Sequence, residues 1–213
     1  EISPDADWNS LYIDGSWVDA ANGESIEVED PSTREAFTEV AAGTEADVDA
    51  ALEAAAAASD EWAETPPAAR EEIVRGALQA LDAAEGAITE LMSHEAGGNA
   101  GYGHTSHHLA MDQAGEAAPI PRRMKGDHIA SNIPGKENLV QRKAKGVVTV
   151  ISPWNFPLNL SARAVFPAIA AGNAVVLKPA TNTPISGGLL FAKLFEEAGL
   201  PDGVLNVVTG RGS

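Results

Sequence analysis

Val147-Val148-Thr149-Val150-Ile151, Ala174-Val175-Val176-Leu177 and Val204-Leu205-Asn206-Val207-Val208 are three short, nearly all-apolar runs spaced by helical stretches. β-Branched residues crowd the first, as in strands buried on both faces of a parallel sheet. Leu160 to Ala171 reads as a helix ended by Gly172-Asn173. Thr183-Pro184 supplies an N-cap and a first-turn proline for a helix over Ile185–Ala198, which stops at Gly199 with Pro201 beyond. Strand–helix–strand–helix–strand with short connections predicts an α/β chain built on a Rossmann-like parallel sheet with right-handed crossovers. Three parallel strands are fewer than an open doubly wound sheet normally carries, so this unit is expected to be incomplete.

Upstream, Leu11 to Val18 reads as two strands around an Asp14-Gly15 turn, and Ile26-Glu27-Val28 alternates before Asp30-Pro31. Thr44 with Asp47 three residues on opens an alanine-rich helix to about Trp62. A second helix is predicted from Ala68 to about Glu95, where apolar residues recur at helical spacing until Gly97-Gly98, and a third over Ser106–Ala118. Ile129 to Val140 reads as a strand pair around Pro134-Gly135. The expected organisation is a helical N-terminal part (1–126), a hairpin arm (127–145) and the first βαβαβ of the sheet (146–213).

The 213 residues carry 14 Lys and Arg against 31 Asp and Glu, a formal charge of −17, with 44% hydrophobic residues. That apolar content supports a sizeable core and excludes a disordered acidic tail. The charge repels phosphate and argues against a nucleic-acid partner. Residues 1–118 hold 26 of the acids and three bases, whereas seven bases fall within 119–145. Without interleaved aromatics this basic cluster reads as a solvated strand edge, or a surface that docks the acidic half of another subunit. The acid excess predicts a salt-adapted protein, since screening removes the self-repulsion of −17, the alternative being a merely acidic cytosolic one. No cysteine is present, which excludes a disulfide framework, a cysteine-ligated metal and a cysteine nucleophile within these residues. No apolar run is long enough to span a membrane, no secretory signal opens the chain, and a cytoplasmic location is expected. The first residue is not Met, which suggests trimming or an incomplete sequence.

Ligands of such sheets bind at the carboxyl ends of the strands. Three segments lie there: Ser152-Pro153-Trp154-Asn155-Phe156-Pro157, Lys178-Pro179-Ala180-Thr181 and Thr209-Gly210-Arg211-Gly212-Ser213. Two prolines stiffen the first, so the Asn155 amide is either an oxyanion donor held in a fixed direction or a plain turn asparagine. Lys178 either donates to ribose or phosphate oxygens or snorkels from a strand end. His104, His107 and His108 share helical spacing, but no zincin signature accompanies them; a solvated helix face is expected and no metal. Trp8, Trp17 and Trp62 read as packing anchors.

Taken together these segments resemble the aldehyde dehydrogenase superfamily. The residues that carry the likeness are Ile151 to Leu158, Pro167 to Pro179, Thr183-Pro184 and Glu197 to Val208, with a weaker match back to Tyr12–Trp17. Pro134 to Asn138 looks most like the subgroup acting on aromatic aldehydes. The resemblance implies oxidation of an aldehyde to a carboxylic acid with NAD or NADP, by way of a cysteine thiohemiacetal. It assigns Asn155 as a catalytic oxyanion donor. Ile151, Ser152, Pro153 and Trp154 would line the cofactor, Lys178 would bind the adenosine ribose with Ala180 and Thr181 beside it, and Gly212 and Ser213 would approach the adenine. The arm at about Asp127–Lys145 corresponds to the family's oligomer-building hairpin, which implies a homodimer or homotetramer of the full-length protein.

Two departures matter. NAD-preferring members often carry a glutamate where this chain has Thr181, so NADP is expected to be accepted. The family's nucleophilic cysteine, its glutamate base and its nicotinamide-side glycine turn all fall beyond Ser213, so residues 1–213 alone are expected to oxidise no aldehyde. A second reading is a short protein that binds nucleotide or a partner subunit without catalysis. A cysteine encoded in frame after Ser213 favours the first reading, an immediate stop codon the second.

The charge reading has a direct consequence. Raising salt from about 0.01 M to about 1 M shrinks the screening length from about 30 Å to about 3 Å. The thermal unfolding midpoint of the protein is expected to rise over that range, and calorimetry showing it constant or falling would refute salt adaptation.

Overall fold

The computed structural model describes residues 2–4 and 6–212. Strands β1 (Leu11–Ile13) and β2 (Ser16–Val18) form the expected hairpin, with Asp14 at φ 50° and Gly15 at φ 72° in its turn. Strands β3 (Ser25–Asp30) and β4 (Glu35–Ala41) form a second antiparallel pair. Helices α1 (Glu45–Glu64), α2 (Pro67–Ala83), α3 (Glu85–Ala96), α4 (Ala100–Ala117) and the short α5 (Ile120–Arg123) follow. A hairpin of β5 (Asp127–Ala130) and β6 (Glu137–Val140) leads into β7 (Val147–Ile151), α6 (Pro157–Ala170), β8 (Ala174–Lys178), α7 (Leu190–Glu197) and β9 (Leu205–Val207).

Strands β7, β8 and β9 pair in parallel, in the expected α/β arrangement. The sheet is not purely parallel, however. Its order is β2-β1-β9-β8-β7, because β1 adds antiparallel to β9 through Tyr12 and Val207. Asn206 makes that junction possible. Fully buried on β9, it donates Nδ2–H to the Gly203 carbonyl at 2.7 Å and accepts the Asp14 N–H at 2.9 Å. β8 is buried except at Lys178. β7 was expected to be buried on both faces; it is instead the outer strand, with Thr149 exposed and Ile151 76% exposed.

Three helical expectations are corrected. The single helix predicted over Ala68–Glu95 is two, because the backbone turns at Ala84 (φ −95°, ψ 9°). The Leu81 carbonyl one turn earlier accepts Nε2–H of the buried His107 at 3.0 Å, a contact no local pattern encodes. Helix α4 begins at Ala100, six residues early, because Asn99 caps it by accepting the Tyr102 N–H at 2.9 Å, despite Gly101 and Gly103 within its first turns. The helix before β9 opens as a π-helical turn, Ile185–Leu189, with Leu189 N–H reaching the Pro184 carbonyl. Strand β4 was not foreseen, since Glu35, Thr38 and Glu39 break its apolar pattern.

The core runs between the sheet and the helices. Trp8 and Trp62 are fully buried anchors, and Trp62 donates Nε1–H to the Ile169 carbonyl at 3.0 Å near the end of α6. Trp17 is partly exposed and lies under the Lys193 ammonium, 4.0 Å from its ring centre. Among the described residues no helix is long and apolar enough to cross a membrane.

Replacing Asn206 by Ala leaves the buried Gly203 carbonyl unpaired and removes the acceptor of the exposed Asp14 N–H, which is expected to cost about 1 kcal/mol. Urea unfolding of the variant checks this, and an unchanged midpoint would show that the hairpin is not held by this amide.

Candidate functional site

Parallel register brings the chain's loops to one edge. Ile151 pairs with Lys178 and Leu177 with Val207, so β7, β8 and β9 end side by side. The ladder continues past the strands, with Ser152 N–H on the Lys178 carbonyl and Val208 N–H on the Leu177 carbonyl, both at 3.0 Å.

At the β8 and β9 ends, Lys178 donates from Nζ to the Pro179 and Gly210 carbonyls, each at 3.1 Å, and Thr181 donates from Oγ1 to the same Gly210 carbonyl at 3.0 Å. Partial burial lowers the Lys178 pKa. An ammonium has three donors, so one N–H remains for a ligand. Ala180 sits between them, its carbonyl accepting the Thr183 N–H in a turn. Gly210 is fixed from behind: Thr209, fully buried, donates Oγ1–H to the Ala41 carbonyl at 2.6 Å, and its own carbonyl accepts the Gly43 N–H at 2.8 Å. A Cβ on Gly43 would stand 2.6 Å from the Thr209 oxygen, so only glycine permits this approach. Thr44 then caps α1 by donating N–H and Oγ1–H to Asp47, each at 2.8 Å.

At the β7 end, Ser152 turns its side chain inward. Its hydroxyl lies 2.6 Å from that of Ser161, which donates to the Gly187 carbonyl at 2.6 Å. Pro153, Trp154 and Asn155 face outward, Trp154 being 62% exposed. The Asn155 carboxamide has no hydrogen bond to the described residues; it borders a cleft of about 610 Å³ that also meets Pro31, Glu95, Tyr102 and Thr183. Asn155 immediately precedes Phe156, the N-cap of α6, whose first turn begins with Pro157.

The fold thus gathers Ile151, Ser152, Pro153, Trp154 and Asn155 on one loop and Lys178, Ala180 and Thr181 on the next. Gly212 is exposed at the end of the third, and Ser213 lies outside the described residues. His104 and His108 are exposed as expected, but His107 is buried and belongs to the core. Glu95 was not found from sequence because its partners are 90 residues away. Wholly buried, it accepts Ile185 N–H at 2.6 Å, Ser186 N–H at 2.8 Å and the Ser186 hydroxyl, and so holds the start of the segment after Thr183.

Open α/β sheets of this kind bind ligands at the loops beyond the carboxyl ends of their parallel strands. Comparisons with known proteins narrow the class. The model of the aldehyde dehydrogenase family matches residues 17–213. A vanillin dehydrogenase of Corynebacterium glutamicum is 47% identical over 202 residues, 94% of this chain and 42% of that protein. Benzaldehyde dehydrogenase YfmT of Bacillus subtilis is 42% identical over 94% of this chain and 41% of its own length. The crystal structure of a NAD-dependent benzaldehyde dehydrogenase from Corynebacterium glutamicum superposes with a TM-score of 0.94 at 45% identity, covering 98% of this chain and 46% of that one. The chain belongs to the aldehyde dehydrogenase family. It spans less than half the length of these relatives.

Burial pushes the Glu95 carboxyl up from 4.5 to about 7, against its three donors. An acid raised in the folded state lends its stability fully below about pH 4.5 and loses it as pH climbs toward about 7. That loss is expected to reach up to about 3 kcal/mol. Urea midpoints measured from pH 4 to 8 should show this slope in the native protein and not in Glu95→Gln; identical slopes would refute it.

Proposed function

We propose that this chain forms the dinucleotide-binding share of an enzyme that oxidises an aldehyde, of aromatic type, to a carboxylic acid with NAD or NADP. The observation that carries the reading is the placement of an uncommitted Asn155 carboxamide one loop away from the Lys178–Thr181–Gly210 cluster, at the carboxyl edge of parallel strands.

The residues present fit an adenosine ribose. Lys178 keeps one free N–H, and the Thr181 hydroxyl, whose proton goes to Gly210, still offers its lone pairs to a ribose hydroxyl. No carboxylate occupies position 181 to repel a 2′-phosphate, which supports acceptance of NADP. The exposed Ile151, Pro153 and Trp154, either side of the buried Ser152, and the open Gly212 offer backbone for close approach. When bound, the dinucleotide supplies the hydride acceptor. The Asn155 side-chain N–H donates to the substrate carbonyl oxygen as negative charge gathers there during nucleophilic attack. With no cysteine here, the nucleophile must come from outside these residues. Ile129, Ile133, Leu139 and Val140 are exposed on the β5–β6 arm, which supports its use in a homodimer or homotetramer.

In the full-length protein, Asn155→Ala is expected to lower turnover of benzaldehyde about 100-fold, read from reduced-cofactor absorbance with each of NAD and NADP. Unchanged turnover would refute the carboxamide's role, and strict NAD dependence would refute that of Thr181. Residues 1–213 alone should give no aldehyde-dependent absorbance.

A further inference from the structure

The peptide carbonyl of Asn155 lies just ahead of the first helical hydrogen bond of α6, in which Leu160 N–H meets the Phe156 carbonyl at 2.9 Å. It therefore has no partner in the helix ladder, and an unheld carbonyl leaves ψ of Asn155 free to change, which would alter the direction of its Cα–Cβ bond relative to α6. Tyr102 closes that freedom. Its hydroxyl donates to the Asn155 carbonyl at 3.0 Å across 53 residues of sequence. Among the described residues this is the one side-chain hydrogen bond made to residues 153–156.

The α3–α4 link sets the approach of Tyr102 to Asn155. Gly97 ends α3 at φ 63°, and Asn99 caps α4 and fixes Tyr102 in its first turn. Gly98 lies beneath the Tyr102 ring, where any Cβ would strike it. The ring then leans on Phe156 with centroids 5.1 Å apart. Burial above all, with the Glu95 carboxylate and against a lowering contact from Ser106, raises the phenol's pKa; like any tyrosine it is protonated at neutral pH and can donate. A phenol so seated has two contacts on the same loop, one to the peptide and one to the neighbouring ring.

We infer that Tyr102 is a positioning residue for the carbonyl-polarising amide: it orients the 155–156 peptide, and with it the Asn155 carboxamide. The inference rests on the reading of Asn155 given above. Such positioning matters because a donor displaced by about 1 Å loses much of its hold on a developing charge.

The test compares Tyr102→Phe, Gly98→Ala and Asn155→Ala in the full-length enzyme. It measures the single-turnover rate of reduced-cofactor formation and the dinucleotide Kd by fluorescence. Tyr102→Phe removes only the hydroxyl. It is expected to slow the single-turnover rate about tenfold and leave the dinucleotide Kd and the thermal midpoint unchanged. The loss should be the same factor with acetaldehyde as with benzaldehyde. Gly98→Ala, which pushes the ring from below, should lower the rate in the same sense. A wild-type rate in Tyr102→Phe beside a crippled Asn155→Ala overturns the inference while the reading of Asn155 stands. A loss confined to benzaldehyde shows a ring contact instead, and a matching loss of dinucleotide affinity shows general loosening; either overturns it. A wild-type rate in Asn155→Ala removes the reading on which it rests.

Discussion

Pairing register among three parallel strands is the constraint on which the site depends. Ile151 opposite Lys178, and Leu177 opposite Val207, end the strands on one line, so that three loops leave the sheet as neighbours. A slip of β8 by one residue would invert every side chain on it. Lys178 would then turn away from the Gly210 carbonyl, and the buried Val175 and Leu177 would exchange faces with Ala174 and Val176. The alternation of buried residues on both faces of β8 therefore fixes the position of the one ammonium in the cluster, at a distance from any residue that touches it.

The two edges of this sheet are treated differently. On the β9 side, the β1–β2 hairpin adds antiparallel and is tied down by Asn206. On the β7 side the strand is exposed, Ile151 most of all. β9, β8 and β7 lie in the order 3-2-1 of the doubly wound arrangement 3-2-1-4-5-6. A bare apolar parallel edge attracts other chains. The charge of −17 opposes that association in dilute salt and does so less as salt screens it.

What the sequence disclosed follows from how local each signal is. β7, β8 and β9 were legible because β-branched runs bounded by glycine and proline state their own conformation. The Asp14-Gly15 turn was legible for the same reason. Residues 151–155 and 178–181 could be placed at one edge because strand order follows from βαβ handedness. Tyr102 and Glu95 could not, since their roles lie in contacts with Asn155 and with Ile185 and Ser186 across the chain. The break at Ala84 was hidden likewise, because His107 sits 26 residues from the carbonyl it meets. β4 failed on composition: its glutamates face solvent on a two-stranded sheet and leave no apolar rhythm. Ile129–Val140 was legible as a strand pair, although its first strand begins two residues earlier, at Asp127, and ends at Ala130.

The two ends of the site are held by different means, and this bears on what can vary. At the end proposed to take the ribose, the shared acceptor is the Gly210 backbone carbonyl, fixed from behind by Thr209 and Gly43. Position 181 can then change its charge without moving the loop, because the acceptor it shares with Lys178 is set by other residues. On the proposed reading, discrimination between a bare and a phosphorylated ribose is in this way separable from the fold. At the carboxamide end no such separation exists. Pro153 and Pro157 restrict the loop, Ser152 anchors it through Ser161, and Tyr102 holds the last free peptide. Each of these acts on the backbone that carries Asn155, so a change at any of them moves the carboxamide proposed to polarise the substrate carbonyl.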